Sequence, residues 1–120
     1  MQKFELANYL SQQEFTLSKN IGYFPVQKII FPTQKNRVII GGILQGEEIN
    51  SGSFLGKFIN YDQIYLSFHW IDKYSSIVVS GKIWGVICKN RHGLIHLFLN
   101  WCFISGKNGF GTVSYKELRI

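Results

Sequence analysis

The sequence predicts an all-β domain: a single antiparallel up-and-down β-barrel of about seven or eight strands with a short N-terminal helix. Three observations carry that expectation. From Phe15 onward, β-rich runs of about eight to twelve residues alternate with tight Gly, Asn, Asp and Ser turns, the pattern of consecutive hairpins. The connections are too short to hold crossover helices, which excludes a parallel sheet. Aromatic residues are abundant, with 10 Phe, 6 Tyr and 3 Trp, and such side chains suit pleated, half-buried surfaces. Sequential hairpins favour a closed barrel over a sandwich, which usually needs Greek-key crossovers.

Taken in order, the elements begin with MQKFELANYLSQQEF, where Phe4, Leu6, Tyr9, Leu10 and Glu14 form a weakly amphipathic pattern and predict a helix over roughly 3–13. Residues 1–14 are thus a helical segment or lid on a single domain spanning 1–120. Pro25 and Pro32 restrict the next stretch to an edge, a bulge or an opening strand. NRVIIGGILQ (36–45) is a strand ended by Gly46-Glu47-Glu48, and GSFLGKFI (52–59) is another, followed by an NYDQ turn. QIYLSFHWI (63–71), IVVSGKIWGVIC (77–88), LIHLFLNWCFISG (94–106) and TVSYKELRI (112–120) complete the series. No internal repeat or low-complexity tract interrupts it.

The bulk numbers agree. At 120 residues, 46% hydrophobic and 17% charged, the chain is long enough for a real core and far from the disordered regime. No apolar run reaches the roughly 18 residues of a membrane helix, and Glu5 and Asn8 stand where a signal peptide needs its apolar stretch, so the expectation is a cytoplasmic protein without a membrane partner. Cys88 and Cys102 form no CxxC motif, and free thiols follow. Net charge is +6, yet most lysines come singly along the chain. Solubility and edge protection account for that spacing, and nucleic acid is disfavoured because its sites usually gather cations on one face.

Side-chain parity suggests what faces inward. On 77–88 the even positions include Ser80 and Lys82, so the odd face, with Ile77, Val79, Gly81, Ile83, Gly85 and Ile87, belongs inside. On 94–104, His96 and Asn100 are even, so Trp101 and Phe103 look inward. Strand 63–71 is ambiguous: its even face (Ile64, Leu66, Phe68, Trp70) is wholly apolar, whereas its odd face (Tyr65, Ser67, His69, Ile71) would better line a ligand pocket. A one-residue register shift exchanges the two. Gly81 and Gly85 either let the sheet coil or leave room for a bound molecule.

These residues define the leading candidate site: an interior pocket for a small apolar or aromatic molecule, lined by Tyr65, Ser67, His69, Gly81, Ile83, Trp101 and Phe103, with Trp101 stacking and His69 or Tyr65 orienting. On that reading Gly81→Leu abolishes binding at little cost in stability. A small barrel enzyme of the isomerase or cyclase type is an alternative, with His69 as its candidate acid/base. A homodimeric interaction module with a filled barrel is another, using Leu94, Phe98 and Ile104, or Phe68 and Trp70. His92 and His96 straddle a turn with no carboxylate or cysteine at ligand spacing, so no metal is expected. The acidic residues fall in turns and form no acid/base pair, and GKNGFG (106–111) lacks a phosphate-loop pattern; no cofactor is expected.

Over roughly residues 26–120 the ordered elements Gly41-Gly42-x-Leu44, Gly52-x-x-x-Gly56, QIYLSFHWID, Ser80-Gly81, NRHGLIHLFLNW, Ser105-Gly106 and a closing strand with Glu117 resemble a set of small bacterial proteins often labelled N-acetylglutamate synthase. The resemblance implies a calycin-like, that is lipocalin-like, barrel. It does not bring the labelled activity with it. An acetyl-CoA site of the usual kind needs a Q/R-x-x-G-x-G/A loop before a helix, and here Gly106 stands at the first position with a strand following. Two departures from the family pattern lie in one strand: Phe103 takes the place of a second tryptophan, and Leu99 the place of a carboxylate.

Overall fold

A computed structural model describes residues 10–33 and 37–118. Its strands are β1 (Glu14–Ile21), β2 (Lys28–Ile30), β3 (Val38–Gln45), β4 (Ile49–Asn60), β5 (Gln63–Asp72), β6 (Val78–Lys89), β7 (Ile95–Ser105) and β8 (Phe110–Glu117). Each is antiparallel to the next, and β1 pairs with β8 to close the barrel in sequence order. The expected up-and-down topology is therefore present with eight strands among the described residues. The expected N-terminal helix lies mainly outside them, since residues 1–9 are not described. What is described of that segment is a turn, with the Gln13 amide donating to the Leu10 carbonyl, and Glu14 already opens β1. Among the described residues only Leu10 has helical conformation, and no helical element is formed.

Alternation of side chains across each strand sorts the apolar set to the inside. On β6 and β7 the odd positions are interior, with Val79, Ile83, Ile87, Ile95, Leu97, Leu99 and Trp101 all buried; Ile77, expected to join them, precedes the first residue of β6 and is exposed. On β5 the even face wins: Ile64, Leu66, Phe68 and Trp70 are buried, while Tyr65, His69 and Ile71 are exposed. Burying two large aromatic and two aliphatic side chains is worth roughly 1.5–3 kcal/mol each, far more than the odd face could return. Hydrophobic patterning thus fixes the register that the sequence left open.

The interior is occupied by its own side chains. Two inward-facing glycines explain how so many rings are accommodated. Gly42 is the direct cross-strand partner of Phe54, and Gly81 that of Phe68. In both cases the ring lies over the glycine, where a Cβ would collide with it. Each aromatic ring fills the place left by its neighbour's missing side chain, a device that also lets the sheet coil tightly enough to close. At the end of the barrel near Leu10, Phe31 packs edge-on against Phe15 and Phe54, with ring centroids 5.6 and 5.3 Å apart. Nearby, Glu117 accepts a hydrogen bond from the Ile95 amide at 3.0 Å, so its carboxylate is buried with a partner.

Tyr115 ties the wall to the opposite end. Its hydroxyl donates to the Val26 carbonyl at 2.7 Å inside the core. Burial pushes that phenol well above its ordinary range, so it remains a protonated donor.

Candidate functional site

The end of the barrel formed by residues 22–27, 46–48, 73–77 and 106–109 holds the densest aromatic cluster. It is built by a loop that turns back into the barrel mouth. After β1 the chain reverses through Gly22 (φ 90°) and Tyr23 (φ 63°), both in the left-handed region. Glycine takes that conformation freely; tyrosine does so only when its surroundings hold it there. Asn20 supplies the hold: its side-chain oxygen accepts from the Phe24 amide at 2.9 Å and its nitrogen donates to the Phe24 carbonyl at 2.7 Å. Phe24, Pro25 and Val26 are consequently buried, whereas Tyr23 projects into solvent.

Phe24 is the centre of the cluster. Its ring stacks on Trp101 with centroids 5.0 Å apart and planes inclined by 24°. It meets Phe68 edge-on at 5.4 Å and Trp70 at 5.9 Å, and Phe103 lies 6.1 Å away. Phe68 and Trp70 stack on each other at 5.0 Å. Offset stacks and edge contacts are the arrangements that the ring quadrupole favours.

One feature of this cluster is chemically out of keeping with a core. The indole nitrogens of Trp70 and Trp101 are both fully buried, and neither has a hydrogen-bond partner. Buried indole N–H groups usually find an acceptor, because an unpaired donor costs about 1–3 kcal/mol. Both donors belong to the aromatic cluster that Phe24 covers.

A charged latch borders the mouth. Asp72, at the end of β5, accepts from the Ser75 hydroxyl at 2.8 Å, the Ser75 amide at 2.9 Å and the Tyr74 amide at 3.3 Å. Lys107, between β7 and β8, lies 3.6 Å from Asp72 and 3.9 Å from Glu48. The hydrogen bonds from Ser75, with Lys107 adding, hold the Asp72 carboxyl below the ordinary carboxylate range. A lowered folded-state value contributes stability that is present above the unfolded-state pKa and lost as pH falls through the folded one. Asp72→Asn is therefore expected to lower the melting temperature at pH 7 and to flatten its decline below about pH 4. Melting curves of both proteins across that range check it; parallel acid limbs would contradict the latch.

The structure divides the residues expected to line a pocket. Gly81, Ile83 and Trp101 face the interior, and Phe103 is half-buried at the rim of the aromatic cluster. Tyr65, Ser67 and His69 do not join them. They stand on the outer wall of β5, because the even face of that strand is the buried one. There His69 Nε2 lies 2.9 Å from Ser53 Oγ on β4. Lys82 Nζ donates to Ser67 Oγ at 2.7 Å and sits 5.5 Å from the centre of the Tyr65 ring. These are cross-strand pairs of an outer sheet surface, and His69, the expected acid/base residue, is separated from Trp101 by the barrel wall. Gly81 offers no room to a ligand, since Phe68 takes that space.

Phe68 and Trp70, considered as an exposed dimer face, are core residues, whereas Phe98 and Ile104 are exposed and Leu94 is half-buried. Asn90 caps the turn before β7, accepting from the His92 and Leu94 amides, and lies 3.3 Å from His96. Among the described residues no three His, Cys, Asp or Glu side chains converge as a metal site, and Cys88 and Cys102 are free thiols. Sequence reasoning missed Phe24, Phe68 and Trp70. For the last two the signal was present in the unbroken apolar even face of 63–71; for Phe24 it lay in Gly22-Tyr23-Phe24-Pro25, a turn that returns an aromatic residue to the core.

The fold and this site define a closed, antiparallel up-and-down barrel with one end plugged by an aromatic loop. No protein-family model, curated protein or solved structure matches the chain. No helix among the described residues is long and apolar enough to cross a membrane.

Proposed function

We propose that this protein is a calycin-like binding barrel that takes a small, flat, largely apolar molecule carrying hydrogen-bond acceptors into its aromatic end. The observation that supports this reading is the pair of buried, unpartnered indole N–H donors, on Trp70 and Trp101. An acceptor-bearing ring among Trp70, Trp101, Phe68 and Phe103 would satisfy the donors and keep the stacking. Phe24 holds that place in the free protein, and its loop is the element that would move. The loop is tied to the wall through Asn20, the Tyr115 hydroxyl and the backbone of Gln27, which accepts from the Leu17 amide and donates to the Gln45 carbonyl. The binding residues of this reading are thus Trp101 and Phe103 together with Phe68 and Trp70, and Phe24 is the residue displaced. The outward Tyr65, Ser67 and His69 are not among them, which removes the support for a confined acid/base site built on His69.

Native mass spectrometry on protein purified without organic solvent, before and after mild organic extraction, tests the reading. A discrete adduct lost on extraction is the expected result, accompanied by a change in tryptophan emission when it leaves. A clean mass with no adduct, together with a dimer, would replace it with a filled barrel that works through its surface.

A further inference from the structure

Cross-strand register sets the lysines that the sequence spreads singly beside aromatic rings, along an outer wall that wraps from β4 through β8 to β1, five of the eight steps round the closed barrel. Residues in register across neighbouring strands lie about 5 Å apart. One outward row runs Lys57, Tyr65, Trp84, Asn100, Thr112 across β4 to β8. The next outward row runs Val86, Phe98, Ser114, Lys19 across β6, β7, β8 and β1. Lys82 lies two residues from Trp84 on β6, and Lys116 two residues from Ser114 on β8. Tyr65, Trp84 and Phe98 are 37%, 40% and 48% exposed; Lys82 Nζ sits over the Tyr65 ring, and His96 stacks on Phe98 with centroids 6.0 Å apart.

Between the two rows lies a groove of about 490 Å³, within the range of small-molecule clefts. Its floor is Gly85, Leu99 and Val113, whose side-chain positions all turn inward, and its sides carry Lys19, Phe98, Asn100 and Thr112. The carboxylates of the described residues keep to the barrel's ends. Glu14, Asp72 and Glu117 are at strand termini, and Glu47, Glu48 and Asp62 are in turns. The outer wall between those ends is basic and carries no acidic side chain among the described residues.

From this placement we propose that the outer wall of β4–β8 and β1 binds single-stranded nucleic acid. Tyr65, Trp84 and Phe98 stack on bases, while Lys19, Lys57, Lys82 and Lys116 meet phosphates. Exposed rings interleaved with cations are what a sequence-tolerant single-strand surface requires, because every unstacked base presents a π face. Asn100, Thr112 and Ser114 add hydrogen-bonding groups along the groove. A duplex hides its base faces, and among the described residues no helix projects from this wall to enter a groove, so the single strand is the matching form. The surface is independent of the interior aromatic cluster.

Fluorescence anisotropy with labelled oligothymidylate of about 16 nucleotides, a duplex of equal length and anionic vesicles tests the proposal. The single strand is expected to bind and to quench tryptophan emission, with affinity falling steeply as salt rises. Trp84→Ala and Phe98→Ala are each expected to weaken binding by about tenfold, in line with loss of one stacked base. Lys82→Gln with Lys116→Gln is expected to reduce the slope of log K against log salt by about 1.4, the counterions of two phosphates. All four are surface changes, and far-ultraviolet circular dichroism verifies that the variants remain folded. The proposal is overturned if the single strand fails to bind at low salt, if duplex binds equally, or if the aromatic variants bind as the parent does. Vesicle binding without oligonucleotide binding would assign the same wall to an anionic lipid surface and overturn it too.

Discussion

Gly81→Leu is expected to abolish the native barrel, with a loss of ~3 kcal/mol or more that leaves little folded protein. A Cβ at this position would stand 2.5 Å from Cζ of Phe68 and closer still to the Cys102 carbonyl oxygen. The carbonyl belongs to the backbone of the neighbouring strand β7 and cannot rotate aside. Phe68 is stacked on Trp70 and edge-on to Phe24, so displacing its ring disturbs the whole cluster. Even Gly81→Ala is expected to cost about 1–3 kcal/mol, the usual penalty for overpacking a dense core. Urea unfolding of the alanine variant, with the leucine variant scored by recovery of soluble folded protein, provides the measurement. A leucine variant that unfolds at the parent's midpoint would mean that the space above Gly81 is open, as a ligand pocket there would require.

Phe24→Ala is expected to have the next largest effect, and it acts in two directions. Truncating a buried phenylalanine typically costs about 3–5 kcal/mol, the sum of lost transfer energy and the cavity left behind. Here the cavity would open beside Trp101, whose ring Phe24 covers at 5.0 Å. An apolar cavity lined by rings stays dry and accepts small aromatic molecules. The variant should therefore melt well below the parent, and added indole or benzene should raise its melting temperature while leaving the parent's nearly unchanged. If indole fails to stabilise the variant, the loop has collapsed into the chamber. A variant as stable as the parent would show that the ring contributes no packing energy.

The architecture was legible because it depends on periodicities that survive in any single strand. Turn residues marked the hairpins, and Lys82 fixed the facing of β6, since a lysine ammonium is not left inside an apolar barrel. The candidate site was legible only in part, for a reason that β5 makes plain. Its two faces differ in polarity, and a preference for polar handles in a pocket competed with the simple burial of Phe68 and Trp70. Burial of large rings is the stronger force, so Tyr65, Ser67 and His69 went outside. The role of Gly81 was ambiguous because a glycine gives no sign of what lies above it. Only cross-strand register reveals that Phe68 does. The same register joins Lys57 to Tyr65 and Trp84, residues far apart in sequence, which explains why singly spaced lysines understated the charge of the wall.

The pairing of β1 with β8 also orders events in time. Its contacts run from Phe15 opposite Glu117 to Ile21 opposite Thr112, so the barrel cannot seal until its last strand has been synthesised. Until β8 docks, β1 and β7 are bare, bondable margins flanked by Phe15 and Trp101. Such margins are templates for pairing with a second chain. The interval before β8 docks is therefore the barrel's most aggregation-prone, and a cut within β8 would make that interval permanent.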